Sequence, residues 1–173
     1  GQQSPVDPTT FNYSKADSIA LNIPKRKYKS YTELAALLTD SLNTEHEKAR
    51  VLFRWITDNI SYSYSNRSSD ANNVLKKKKA VCIGYSNLFK EMCECSGIEC
   101  VIIEGYAKTS VEDINKKCKD TDHAWNAVKL NGKWYLIDVT WASGHRDTKT
   151  RKSIKSYNEL YYLTPPDNFI KKH

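Results

Sequence analysis

Apolar residues recur along this chain at helical spacing up to about residue 97 and at strand spacing from about residue 99 to 140, so the pattern predicts helices first and a sheet afterwards. Ser30-Tyr31-Thr32-Glu33 and Thr44-Glu45-His46-Glu47 are capping-box patterns, each opening a helical segment. The second segment carries Ala49, Leu52, Phe53 and Ile56 on one stripe and ends near Asn59; His46, in its first turn, is expected at the surface and Trp55 in the core. A shorter helix is expected from Asp70 to Lys77. The run AVCIGYSNLFKEMCECSG then steps into a helix with Leu88, Met92 and Cys95 at four- and three-residue spacing, Phe89 and Cys93 beside them, and Gly97 as its C-terminal cap. Glu99 to Tyr106 reads as a strand, residues 107 to 121 as a polar loop that is a candidate wall or lid of a cleft, and 123–130 and 133–140 as two further strands.

Those last two runs, HAWNAVKL and KWYLIDVT, are separated by Asn131-Gly132, the strongest short-range hairpin signal. A two-residue loop sets Leu130 opposite Lys133, so that all facing residue numbers sum to 263. His123 then faces Thr140 and Trp125 faces Asp138, all four on one side of the sheet, with His123 and Asp138 diagonal neighbours about 7–8 Å apart. Asn126 points to the other face and is not expected to be catalytic. An imidazole and a carboxylate spaced in this way suit a general base and its orienting group. The geometry requires an unbulged hairpin, and the bland alternative is an Asp that only caps a neighbouring turn.

Cys82 opens the helix after the apolar step. A thiolate there is stabilised by the helix dipole and unpaired N–H groups, which also suit an oxyanion; Gly84 is expected to leave room for substrate. The three side chains imply attack of a Cys82 thiolate on an amide or ester carbonyl, a thioester, and proton transfer through His123 steadied by Asp138. Of the aromatic residues, Trp125 is expected to shield the His–Asp bond and Trp141 to form a substrate wall. With no calcium-loop pattern, metal-independent chemistry without a cofactor is expected.

Length and charge narrow the frame. A chain of 173 residues buries about two-thirds of its unfolded surface as one domain, expected over residues 17–173 behind a flexible polar segment 1–16. Charged residues make up 27% and no run is apolar enough to span a membrane. The net charge of +7 comes largely from clusters at Lys25–Lys29, Lys76–Lys79 and Lys149–Lys155, read as solvated faces rather than a nucleic-acid surface because no zinc, homeodomain or RNA-binding motif accompanies them. The polar, proline-bearing start without an initiator methionine is read as a processed end, hence an extracytoplasmic location, periplasmic, secreted or cell-surface. Beyond Cys82, the other cysteines Cys93, Cys95, Cys100 and Cys118 either pair in one of three ways or remain buried thiols.

Three separated blocks, FRWITDNISYSY, VCIGYSNLF and DHAWNAVKLNGKWYLIDVTWASG, resemble the transglutaminase-like superfamily of papain-like thiol enzymes, and the tail NELYYLTPPDNFIKKH is similar to the segment after the core in bacterial relatives of the kyphoscoliosis-type peptidases. The resemblance covers roughly residues 44 to 173. It implies an α+β fold in which the nucleophile's helix packs on an antiparallel sheet. It also implies Cys82 as nucleophile, His123 as general base and acid, Asp138 as orienting residue, and an aromatic or amide donor such as Tyr85 near the oxyanion. Ala80 stands where many relatives have glycine. The function expected is a thiol hydrolase or acyltransferase acting on a protein or peptide substrate. The alternatives are a catalytically silent peptide- or glycan-binding module and a domain of a larger envelope protein. Oligomeric state is not legible.

Overall fold

Helices occupy the first half of the chain and the main sheet the second, as the switch in apolar spacing predicts. The computed structural model describes residues 11–108, 121–147, 149–150 and 152–173. Helices α1 (Ser14–Asn22), α2 (Tyr31–Thr39) and α3 (Glu45–Asn59) precede a short strand β1 (Ser61–Tyr62), helix α4 (Ala71–Lys77), strand β2 (Lys79–Ala80) and helix α5 (Cys82–Cys95). Strands β3 (Cys100–Gly105), β4 (His123–Leu130) and β5 (Lys133–Ile137) form an antiparallel sheet in that order, and α5 packs on β3 and β4. A one-turn helix α6 (Val139–Ala142), a β6–β7 hairpin (Gly144–Arg146 and Ser153–Lys155), a 3-10 turn (Glu159–Tyr161) and helix α7 (Pro166–Phe169) complete the fold. The expected α+β arrangement, with the helix that Cys82 opens packed on an antiparallel sheet, is the one observed.

Local chemistry sets most element ends. Thr44 and Glu47 make the full reciprocal capping box of α3. At α2 only half of the box forms: Ser30 Oγ accepts from Glu33 N, while the Glu33 carboxylate reaches past Ser30 to Lys29 N at 2.7 Å and pairs with Arg26. Gly97, at φ 80°, follows α5 in a left-handed cap, with the Ile98 N–H donating to Cys93 O at 2.9 Å. The α5 stripe that reaches the core is Leu88, Phe89, Met92 and Cys93, and Cys95 lies on the exposed side. The α3 stripe is wholly buried together with Trp55, each large side chain contributing about 1.5–3 kcal/mol. Cys82, Cys93, Cys95 and Cys100 are free thiols, and Cys118 lies outside the described residues.

His46 departs from expectation: it is 3% exposed, stacked on Phe11 at 3.9 Å and edge-on to Tyr135. The reason is tertiary. The start of α3 is docked under the β4–β5 turn, where the Glu45 carboxylate accepts from Asn131 N at 2.5 Å, and there Phe11 and Tyr135 cover the His46 ring.

After β5 the chain folds back over the sheet. Asp138 N donates to Tyr161 O, Thr164 N to Leu136 O, and Lys108 N to Lys172 O at 2.7 Å, so the final segment is tied to the chain leaving both edge strands, β3 and β5, at one end of the sheet. Arg50, buried between α1 and this segment, bonds both Asp17 carboxylate oxygens and both of Glu159. Among the described residues no helix is long and apolar enough to cross a membrane.

Candidate active site

Strand β2 pairs in parallel with β1 and delivers the chain to Val81, whose extended backbone turns directly into α5 at Cys82. No side chain caps this helix, and Val81 O takes the N–H groups of Gly84 and Tyr85. Gly84 and Tyr85 secure the helix start from behind instead of facing a substrate. A Cβ at Gly84 would lie 2.8 Å from Ser68 O and 2.9 Å from the Ala80 methyl, so glycine here permits close packing. Ala80, in turn, fills the space that this glycine leaves. Tyr85 is buried, its hydroxyl donating to Ile60 O at 2.7 Å with Ser143 Oγ 3.2 Å away, which uses the group that an oxyanion role would need.

The hairpin keeps the register that the Asn131-Gly132 turn dictates: both turn residues have positive φ, and Leu130 faces Lys133 through to Asn126 facing Ile137. The pairing stops there. Asp138 does not face Trp125 across a ladder; it leaves the strand and caps α6, its Oδ1 accepting from Trp141 N at 2.9 Å. His123 pairs with Gly105 on β3 instead of Thr140. The turn out of the sheet swings the carboxylate toward the imidazole, and His123 Nε2 lies 2.6 Å from Asp138 Oδ2. The capping role and the role beside the histidine, alternatives in the sequence, belong to the two oxygens of one carboxylate.

The Cys82 thiol acts on the His123 ring as well, helping to hold the imidazolium, and with Nε2 committed to Asp138 the nitrogen left for sulfur is Nδ1. Burial pulls the imidazolium pKa down, but the bonds to Asp138 and Cys82 outweigh it and hold His123 up at about 9. Burial works equally against a charged Asp138, which is 0% exposed; the His123, His173 and Trp141 N–H groups nonetheless hold it below the usual carboxylate range. A buried carboxylate costs several kcal/mol of lost hydration, an outlay that such fixed donors offset. Cys82 itself is partly exposed.

The sequence reading missed His173. Its Nε2 lies 2.9 Å from Asp138 Oδ2, the same oxygen that His123 uses. Its ring stacks on Phe169 at 3.8 Å and 13° and contacts Trp141 and Trp125. The available signal was a histidine four residues after Phe169 on a proline-started turn, which predicts a shared face but not its destination. His123, Asp138 and His173 also place three ligand-type atoms within 4.8 Å of one another. The 2.6 and 2.9 Å separations are hydrogen-bond lengths, whereas a first-row metal bound by the same atoms would spread them to roughly 3.3 Å.

A cleft of about 640 Å³ opens beside the imidazole, lined by His123, Trp141, Tyr157, Tyr161 and Lys172 among others. Trp141 forms its wall and stacks on His123 at 4.9 Å. Trp125 is buried behind the histidine, over Gly105, where a Cβ would come within 2.3 Å of its ring. Asn126 is buried on the opposite face and donates to Ser86 O, tying α5 to the sheet. Residues 109–120, the greater part of the loop expected as a lid, lie outside the described residues.

A profile described as the Transglutaminase-like superfamily matches residues 32–139. The chain is 34% identical over 168 residues to the Kyphoscoliosis peptidase of Mus musculus, covering 93% of this chain and 25% of that protein. With the Homo sapiens Kyphoscoliosis peptidase it is 36% identical over 148 residues, covering 82% of this chain and 22% of that one. The chain therefore spans about a quarter of the length of these curated relatives. A crystal structure of a protein provisionally named a cysteine protease, from Cytophaga hutchinsonii, superposes with a TM-score of 0.53 at 19% identity, covering 87% of this chain and 49% of that one, a likeness of fold.

Proposed function

The chain belongs to the transglutaminase-like superfamily, and from that premise we propose that it is a thiol hydrolase or acyltransferase acting on peptide-type amides through Cys82, His123 and Asp138. The observation that carries the reading is an imidazole bonded at 2.6 Å to a buried carboxylate and acted on by the thiol of a helix-opening cysteine.

Each group has one task. The Cys82 thiol gives its proton to His123 Nδ1, and the thiolate attacks the carbonyl carbon of the amide. The negative charge that develops on the carbonyl oxygen is met by N–H groups at the uncapped start of α5. The imidazolium returns the proton to the departing amine as the C–N bond breaks, leaving a thioester on Cys82. His123 then takes a proton from the second nucleophile as its oxygen or nitrogen bonds to the thioester carbon, and the C–S bond breaks with the proton passed from His123 to sulfur, regenerating the thiol. Water as that nucleophile gives hydrolysis; a primary amine gives transamidation. Throughout, Asp138 holds the Nε2–H tautomer and balances the imidazolium. Trp141 and the tyrosines of the cleft supply flat apolar walls for the segment around the scissile amide.

Iodoacetamide labelling followed by peptide mapping tests this directly. Cys82 is expected to alkylate faster than exposed Cys95, and His123→Ala to abolish the difference. Equal slow labelling of both thiols would overturn the reading. A panel of peptides with and without an amine donor then separates the two fates of the thioester by product mass.

A further inference from the structure

Asp138 Oδ2 accepts from two imidazoles, and only one of them touches the sulfur. On the basis of the proposed triad, we infer that His173 is a positioning residue: it holds the Asp138 carboxylate in the orientation that keeps Oδ2 on His123 Nε2.

Nε2 of His173 lies 2.9 Å from Asp138 Oδ2, which can only accept, so the ring's N–H is the one on Nε2; Nδ1 lies 3.2 Å from Phe169 O, and the face of the ring lies on Phe169 at 3.8 Å. The ring has no free rotation about this position, so its N–H is a fixed donor. On the other side of the carboxylate, Trp141 N anchors Oδ1 at 2.9 Å. With His173 in place each carboxylate oxygen has a donor that takes no part in proton transfer, and the plane of the carboxylate is set independently of the state of His123. Without it, Oδ2 would be held by His123 alone, the group whose charge changes during the reaction.

The same side chain excludes water. Its side chain is 2% exposed and its ring sits between Trp125 and Trp141, over the edge of the His–Asp bond. A short N–H···O bond in a dry setting is stronger than one that competes with solvent. The role is distinct from catalysis, because His173 contacts neither the sulfur nor the cleft-facing nitrogen of His123. It is also distinct from simple packing, which a phenyl ring would satisfy.

The test uses this difference. His173→Phe keeps an aromatic ring and removes the donor; His173→Gln keeps an N–H at a comparable reach and removes the ring. Two quantities are read in each: the iodoacetamide rate at Cys82, and the proton NMR resonance of His123 Nε2–H, expected far downfield in the wild type because its bond is short. His173→Phe is expected to lose the resonance and slow Cys82 labelling on the order of tenfold, about the size of one hydrogen bond to a charged group, with thermal unfolding near that of the wild type. His173→Gln is expected to restore both. If His173→Phe does not fold, His173→Leu serves as the second donor-free variant. A Phe or Leu variant that retains the downfield resonance overturns the inference, whatever its labelling rate. If the resonance responds as expected but wild-type Cys82 labels no faster than Cys95, the positioning role stands and the proposed chemistry is what fails.

Discussion

His46 and His123 are both buried against aromatic rings, and their surroundings drive them in opposite directions. His46 lies on Phe11 at the start of α3, its Nδ1 without a hydrogen-bond partner, and burial lowers its pKa against only a weak pull from Glu45. His123 suffers the same penalty beside Trp141, yet is held up at about 9 by Asp138 and Cys82. Aromatic burial is therefore not the mark of the site. The mark is a carboxylate that remains ionised in the interior, which requires its own set of donors, and those come from α6, β4 and the final segment together.

The largest expected effect separates the two histidines by chemistry. Asp138→Asn preserves shape and removes the charge, and is expected to lower kcat/KM on a cleaved peptide by about 10²–10⁴-fold, while His46→Phe changes it less than about twofold. Comparable losses in the two variants would erase the contrast. Next is stability: Asp138→Ala leaves two buried imidazole N–H groups unpaired and is expected to cost about 3–5 kcal/mol in urea unfolding. A cost near zero would mean that the carboxylate is not what holds the final segment against the sheet.

The pH dependence sharpens the comparison further, because the signs differ. The folded pKa of His123 is raised from 6.5 to about 9, so its contribution is complete below 6.5 and is lost as pH rises toward 9. The folded pKa of His46 is lowered from 6.5, so its contribution is present above 6.5 and is lost as pH falls below it. Lys78 and Lys155, both lowered by burial to about 8, add a stabilising rise with pH above that point, so the alkaline test belongs between pH 6.5 and 8. Melting curves are expected to show His123→Phe flattening the decline on that side and His46→Phe flattening the decline on the acid side; variants that move the same flank would break the comparison. The smallest effect expected is on His46→Phe at neutral pH, within about 1 kcal/mol of wild type, since the variant removes a buried nitrogen that has no partner.

Much of this arrangement is legible in the chain itself because it is local. Asn131-Gly132 imposes its turn and the hairpin register, Thr44 and Glu47 close the start of α3, and Cys82 follows an apolar step into a helix whose core stripe is written at i, i+3 and i+4. Backbone sterics and side-chain periodicity act over a few residues, so they can be read from a few residues. What the sequence could not set is where one segment meets another. The end of the ladder at Ile137, the burial of His46 under the hairpin turn, the packing of Gly84 and Tyr85 behind the helix, and the return of His173 to an aspartate 35 positions earlier all arise from segments distant in sequence excluding water from one another. Periodicity names the face of an element that seeks cover, whereas only the folded chain decides what covers it, and at Asp138 that decision supplies the donors that keep a buried charge in place.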